Sequence, residues 1–315
     1  MLKYLIIKLC DTAPSFCHYY NPNNVKNLMP VETLKEAILF GLKENLNIQF
    51  LYPDYELPAE YKEAIDTVDH TDIVTLWNKD KELLDKAEIV VLDSWLDVTK
   101  QLKGDQSYIL RTSKDDFFKN YKVLYEMLPK VQRINIVFTD ISAFSKEDFD
   151  KYNNILEEIS NFIAKEYIAS KTPQTNILTD RFLLKTMNNC NAGDEVITVA
   201  PDGKFYVCPA FYLYGEKDEG NLHDGLKVRN PQLYKLSHAP ICRECDAYQC
   251  KRCVWLNKQM TYEINTPSHE QCVIAHLERN QTRKLLQQIR EHGIFMPEIE
   301  IEEIDYLDPF DKIVK

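Results

Sequence analysis

Glycine is scarce, with only 8 in 315 residues. Loops that cradle phosphates or nucleotide cofactors need glycine so that backbone can approach the ligand closely, so no such loop is expected to organise this chain. Positive charge is also in deficit. Lys and Arg number 38 against 49 Asp and Glu, a net charge of −11, which argues against a nucleic-acid partner. No apolar run approaches the ~20 residues that cross a bilayer, so no membrane partner is expected. The N-terminal "YLII" is too short for a signal-peptide core, and no small-residue cleavage site follows it. These absences point to the cytoplasm, where thiols stay reduced, and there nine cysteines read as metal ligands rather than disulfides. The remaining composition, 44% hydrophobic and 28% charged, is that of an ordinary globular protein large enough for two domains or one large one.

The first ~180 residues alternate strand-like and helix-like stretches. Strands are predicted at 3–8, 47–52, 88–92, 107–111, 133–138 and 174–178, with helices at 30–46 and 146–167 among the connections. In the first helix Pro30 marks the start, and Leu34, Ala37, Ile38 and Gly41–Leu42 recur at a 3.6-residue rhythm. Such βαβ units imply an α/β fold with a parallel sheet, here an open, partial (β/α)6 barrel, whose functional loops follow the C-terminal strand ends. The composition then changes. "EVITVAPDGKFYVC" reads as a hairpin turning at Pro-Asp-Gly, and a polar helix is predicted over 269–293 with Gly293 as its C-cap. The acidic tail from Met296 interleaves apolar residues and reads as a strand or arm packed on the body, or as a partner-docking segment.

Seven of the nine cysteines lie between 190 and 272. Cys190 is followed by twelve residues, Gly203, four residues and Cys208; then come Cys242-x2-Cys245-x4-Cys250-x2-Cys253 and, after eighteen residues, Cys272. Two intervening residues let paired sulfurs converge, and thiolates so spaced favour zinc or iron–sulfur clusters. Two all-cysteine zinc sites would need eight thiolates, so His223, His238 or His269 would have to complete the second. Structural zinc and buried, unliganded cysteines are the alternatives to clusters.

The order C-x12-G-x4-C, C-x2-C-x4-C-x2-C, then a last cysteine resembles the SPASM domain of radical S-adenosylmethionine (SAM) enzymes, with a central block slightly shorter than usual in that family. The resemblance covers residues 190–272 and implies one or two auxiliary iron–sulfur clusters of the [4Fe–4S] kind. Cys242, Cys245, Cys250 and Cys272 match the ligands of the second cluster, and Cys190, Cys208 and Cys253 match ligands of the first. The family's upstream eighth cysteine has no counterpart in "RFLLKTMNNC". The fourth site of the first cluster would then be open, filled by another residue, or available to a substrate thiolate.

The loop "LCDTAPSFCHYY" stands where radical SAM enzymes carry CxxxCxxC, whose cluster binds and cleaves SAM. With Cys17 aligned on the middle cysteine, Ala13 and Tyr20 occupy the other two positions. Aligned instead on the outer two, Cys10 and Cys17 leave Pro14 in the middle. The segment "FLYPDYELP" has no glycine where the family carries a GGEP-like SAM-binding stretch. Conventional SAM binding is therefore not expected. Cys10, Cys17 and His18 read either as packing residues or as a redox pair, cluster ligands or a His-activated thiol.

As a whole the chain resembles CXXX repeat peptide maturases, radical SAM/SPASM-like proteins without the SAM-cluster motif. That implies three parts: a degenerate barrel at 1–180, a SPASM-like domain at 181–275, and a C-terminal helix and tail at 276–315. It also implies an iron–sulfur maturase-type protein acting on a cysteine-rich precursor peptide. The alternatives are a non-catalytic partner of that peptide or of an active radical SAM enzyme, and a zinc-stabilised scaffold.

Overall fold

The structure, a computed structural model, describes residues 2–95, 102–187 and 190–314. In chain order it runs β1 (Tyr4–Lys8), α1 (Val31–Lys43), β2 (Asn47–Leu51), α2 (Ala59–Ile65), β3 (His70–Thr75), α3 (Lys81–Lys86), β4 (Ile89–Leu92), β5 (Ser107–Thr112), α4 (Lys114–Asn120), α5 (Leu124–Met127), β6 (Arg133–Phe138) and α6 (Lys146–Ile168). There follow α7 (Asp180–Leu183), the hairpin β7 (Val196–Val199) and β8 (Phe205–Tyr206), α8 (Pro209–Leu213), a two-residue ribbon β9 (Gly220–Asn221) and β10 (Gly225–Leu226), α9 (Val254–Thr261), α10 (His269–Arg290) and α11 (Pro309–Val314). Contacts divide the chain into two compact units. The first is Met1–Leu92 with Cys190–Ala239 and Cys253–Leu256; the second is Asp93–Asn189 with Pro240–Arg252 and Asn257–Lys315.

In the first unit the strand order is β4-β3-β2-β1-β7-β8. Every pairing there is parallel except β7 with β8. Leu5, Ile6 and Ile7 of β1 are all buried, the unbroken apolar run of a strand covered on both faces. Helix α1 turns Leu34, Ala37, Ile38 and Gly41 inward as the rhythm predicts, whereas Leu42 is exposed on its outer face. Gly41 permits close approach to the sheet, since a Cβ there would lie 2.8 Å from Ile48 Cδ1. The hairpin forms as expected, with Gly203 at φ +74° and its N–H donating to Ala200 O (2.9 Å).

In the second unit β5 and β6 pair in parallel, Ser107 opposite Arg133 through Thr112 opposite Phe138. Helices α6 and α10 pack against each other. Both begin in a capping box, Ser145 with Asp148 and Ser268 with Gln271, which satisfies amides left without intrahelical partners. Phe117, Phe138, Phe144 and Tyr152 interlock edge-to-face beside them.

Mixed α/β architecture with parallel strands matches the sequence reading, with three local corrections. The stretch 174–178 is not a strand. Only Thr175 bridges to Ile134, and the Asn176 side chain takes over the ladder, accepting from Ile136 N (2.6 Å) and donating to Ile136 O (2.9 Å). A short amide side chain that mimics backbone ends the pairing and starts a turn. A parallel strand absent from the sequence reading is β3, whose opening His-Thr-Asp hid it, since only its second half carries Ile73 and Val74 into the core, and β7 of the hairpin also joins in parallel, beside β1. Finally, α10 caps at Glu291 rather than Gly293. The tail is a packed arm within the second unit, with Ile301 buried and Arg283 bonded to Glu303 (3.0 Å).

Candidate metal centres and the loop after the first strand

Four cysteines of the first unit gather on loops that its strands and helices hold. Cys190 precedes a tight turn into β7, where Asn191 and Gly193 take positive φ and Gly193 lies against the Tyr234 ring. Cys208 is the N-cap residue of α8, and Cys253 sits immediately before α9. Cys17 comes from the loop after β1, and its thiol hydrogen-bonds with that of Cys253. Hydrogen bonding with Cys17, then burial, pushes the Cys253 thiol well above its usual range, and negative charge on Cys17, Cys190 and Cys208 adds to the shift. Burial likewise raises Cys208, reinforced by Cys190 and Cys17, while the amides of Phe211 and Ala210 pull the other way. These are thiols that stay protonated without a cation, and a bound metal reverses that by stabilising thiolate.

A second group forms in the other unit. Cys242 opens a single 3-10 turn, Cys245 accepts from Ala247 N at 3.5 Å, and Gln249 donates to Ala275 O at 2.6 Å, tying the cysteine loop to α10. Cys272 stands on the first turn of α10. Burial raises all four thiols, Cys242 to about 11; Cys250 and Cys272 are raised further by charge on Cys242 and on Cys245. One turn after Cys272, buried His276 places Nε2 3.4 Å from Cys245 Sγ. Its Nδ1 is bonded to the Leu307 carbonyl and burial depresses its pKa, so the neutral ring carries its proton on Nδ1. Asp246 receives Arg279 at 2.6 Å and Arg181 at 2.9 Å, fixing the backbone beside Cys245.

None of the nine cysteines forms a disulfide. Among the described residues, no group of three or more His, Cys, Asp or Glu side chains is placed to hold a metal ion. A single zinc needs four sulfurs each ~2.3 Å from one centre. Of the histidines considered for zinc, His269 pairs with Asp308 (2.6 Å) and His238 contacts Ser237 Oγ (3.1 Å).

The loop after β1 is built around protein contacts. Ala13 is fully buried in a core of Ile6, Leu51, Ile73 and Val91. The carbonyls of Asp11 and Ala13 accept from buried Lys8 Nζ (3.3 and 3.5 Å) and from Asn21 Nδ2 (2.6 and 2.7 Å). Burial lowers the Lys8 ammonium to about 8, against the opposing pull of Asp11 and Cys10. Cys10 Sγ accepts from Tyr55 OH (3.3 Å) and lies 3.4 Å from Thr12 Oγ1. Tyr212 OH of α8 donates to Asp11 Oδ1 (2.6 Å), and Tyr214 OH, just past α8, donates to Tyr20 O (3.1 Å). Cys10 and Cys17 thus have different hydrogen-bonding partners, and His18 is half-buried in the same loop.

Sequence reasoning missed the association of Cys17 with Cys253, the approach of His276 to Cys245 and the role of Lys8. For Cys17 a signal existed in the missing upstream cysteine, which left one thiol short. No spacing rule could find Lys8, because a lysine inside an apolar strand reads as its solvent-facing end.

No protein-family model and no curated protein matches the chain. Solved structures do. The protein anSMEcpe with bound AdoMet matches with a TM-score of 0.59 at 15% identity, over 93% of this chain and 99% of that one. The same protein with bound AdoMet and Cp18Cys peptide matches with a TM-score of 0.58 at 14% identity, over 92% and 100%. SuiB of Streptococcus suis bound to its precursor peptide SuiA covers 80% of this chain and 70% of its own at 15% identity, with a TM-score of only 0.45. At these identities the likeness to anSMEcpe is a likeness of fold.

Proposed function

We propose that this chain is a radical-SAM-related, maturase-type protein that binds iron–sulfur clusters and acts on a cysteine-rich precursor peptide without conventional SAM cleavage. What supports this reading is that Cys190, Cys208 and Cys253 belong to the first unit and Cys242, Cys245, Cys250 and Cys272 to the second. Cys190, Cys208 and Cys253 would hold the first cluster; Cys242, Cys245, Cys250 and Cys272 would hold the second, with His276 Nε2 directed at Cys245. Bound clusters supply one-electron transfer whose potential depends on burial and on hydrogen bonds to the sulfurs. The fold shared with a protein solved with AdoMet and a peptide supports the peptide partner; the partial barrel at 1–180, the SPASM-like domain at 181–275 and the helix and tail at 276–315 are carried as the resemblance gives them. A cytoplasmic setting accords with reduced thiols; among the described residues no helix is long and apolar enough to cross a membrane.

The reading without SAM cleavage rests on the β1 loop. Alanine cannot ligate iron, and Ala13 is packed into the core while Lys8 and Asn21 occupy the loop carbonyls. For the peptide, the loops beyond the C-terminal ends of β1 and β3 offer exposed Tyr20, Val25 and Trp77. The same loop favours a second reading, a non-catalytic partner that presents the peptide to an active radical SAM enzyme.

Anaerobic purification with iron, sulfide and zinc analysis, followed by incubation with SAM and reductant, tests the proposal. Iron and sulfide without 5′-deoxyadenosine are expected, with an absorption change on adding peptide. Zinc without iron or sulfide overturns the clusters, and 5′-deoxyadenosine formation overturns the exclusion of SAM chemistry. Peptide modification only when a radical SAM enzyme is added decides for the partner reading.

A further inference from the structure

We propose that the cavity bounded by β3, α2 and α3 binds a primary alkylammonium group, which Asp72 and His70 hold from the strand side. The cavity has a volume of about 540 Å³, lies wholly within the first unit, and has no cysteine in its lining. His70 and Asp72 stand two residues apart on β3, so their side chains leave the strand on the same face. Asp72 is only 8% exposed, yet its Oδ1 has no hydrogen-bond partner among the described residues. His70 Nε2 lies 3.4 Å from that oxygen, and its tautomer explains why the two do not bond. His70 Nδ1 is 2.7 Å from the Val68 carbonyl, which can only accept, so Nδ1 carries the proton and Nε2 of the neutral ring presents a lone pair. Two acceptors therefore face each other with no donor between them.

An ammonium supplies what this pair lacks. It has three N–H donors and no acceptor, so one cation can donate to both Asp72 Oδ1 and His70 Nε2. Burial raises the Asp72 carboxyl, against the downward pull of His70 and the Tyr52 hydroxyl, and a cation beside it would favour the charged form. The surrounding charge has the matching sign, with six carboxylates lining the cavity against two lysines. Both lysines are already taken, Lys62 by Glu56 (2.8 Å) and Asp80 (2.7 Å), and Lys86 by Glu82 (2.6 Å). Glu88, a third carboxylate of the lining, accepts from the Asp72 amide at 2.9 Å and so stands beside the pair. Ile65 and Leu83 give an apolar wall along which a methylene stem can lie while its charged head reaches the carboxylates. Among the described residues, no three of these acidic or histidine side chains converge as metal ligands, which favours a flexible organic cation over a metal ion. A free amine and the lysyl side chain of a peptide share this chemistry, and the cavity is in the usual size range of small-ligand sites.

The test titrates the full chain at neutral pH with pentylamine, pentanol and Nα-acetyl-lysine methylamide, read by calorimetry. Pentylamine is expected to bind, and pentanol, the same stem without the charge, to bind about tenfold more weakly or worse. Asp72→Asn keeps the shape, and its amide N–H can donate to His70 Nε2. That variant is expected to fold without loss of melting temperature and to lose about tenfold or more in pentylamine affinity. Equal binding of pentanol, or unchanged pentylamine affinity in Asp72→Asn, overturns the proposal. Binding of the lysine derivative alongside pentylamine assigns the site to a peptide side chain, and binding of pentylamine alone assigns it to a free amine. Binding of neither overturns it.

A second measurement leaves Asp72 untouched. Nitrogen NMR of isotopically labelled histidine separates a ring nitrogen with a lone pair from one with a proton, and the His70 signals are identified by their absence in His70→Gln. In the free protein His70 Nε2 is expected at the lone-pair position, and pentylamine should shift it toward the hydrogen-bonded position while Nδ1 stays. A fully protonated His70 ring before any amine is added refutes the proposal, since the ring itself then supplies the cation. Calcium chloride reproducing the pentylamine shift refutes the choice of an organic cation. These readouts make no use of the cysteines, so the amine site and the cluster reading fail separately.

Discussion

Glu278 sits in the middle of α10 with its carboxyl 2.8 Å from the Tyr152 hydroxyl of α6 and 3.4 Å from Gln249 Nε2. Burial pushes its pKa up to about 8, against the downward pull of those two hydrogen bonds. An unfolded glutamate titrates near ~4.3. The folded state therefore holds the proton more tightly, and this contribution to stability is fully present below ~4.3 and is lost as pH rises through about 8. Between the two values the slope is about 1.4 kcal/mol per pH unit, or about 3 kcal/mol from pH 5 to pH 7. Glu278→Gln keeps an acceptor for Tyr152 and cannot ionise. Guanidinium denaturation followed by circular dichroism at pH 5, 6 and 7, on both proteins in the same metal state, should show the variant gaining on the wild type by that amount across the range. Other titrating groups cancel in the difference. A difference that stays constant from pH 5 to 7 would refute a protonated Glu278 between the helices.

Lys8 has the opposite sense. Its folded pKa of about 8 lies below the usual 10.5, so wild-type stability should rise by about 1.4 kcal/mol per pH unit between those values, and Lys8→Met should abolish the rise in alkaline denaturation series. Gly193→Ala places a Cβ 2.5 Å from the Tyr234 ring at a φ of +84°; a loss of about 1–3 kcal/mol is expected from denaturation and, under the cluster proposal, weaker metal retention by the Cys190 group from chelator competition. Ser268→Ala removes the side-chain cap of α10, on whose first turn Cys272 stands, and should cost about 1 kcal/mol in denaturation and, under the cluster proposal, speed iron release to a chelator from the second group.

The apolar rhythms of β1, α1, β6 and α6 were readable because packing and period agree there. Strand β3 was hidden because half of it is polar, and 174–178 looked like a strand because its Asn176 replaces backbone pairing in three dimensions only. Spacing marked the cysteine-rich region but did not divide it, since the close pair Cys250 and Cys253 falls in different units. Cys17 could not be assigned in the same way, because its nearest downstream partner in the group is 173 residues away (190 − 17), and a contact so distant in the chain leaves no periodic trace. His276 is a similar case. Its spacing from Cys272 places it one helical turn away, but the direction of Nε2 is set by the Leu307 carbonyl from the packed tail.

Helix α8 runs from Cys208 to the tyrosine whose hydroxyl holds Asp11. A strut with a proposed metal ligand at one end and the β1 loop near the other would make the loop a gauge of loading. If the proposed cluster leaves, the thiolates take up protons and lose their shared anchor, so the Cys208 end is freed and the tether on residues 11–20 slackens with it. Proteolytic nicking in that stretch would then report cofactor loss in crude extracts, before any spectrum is taken.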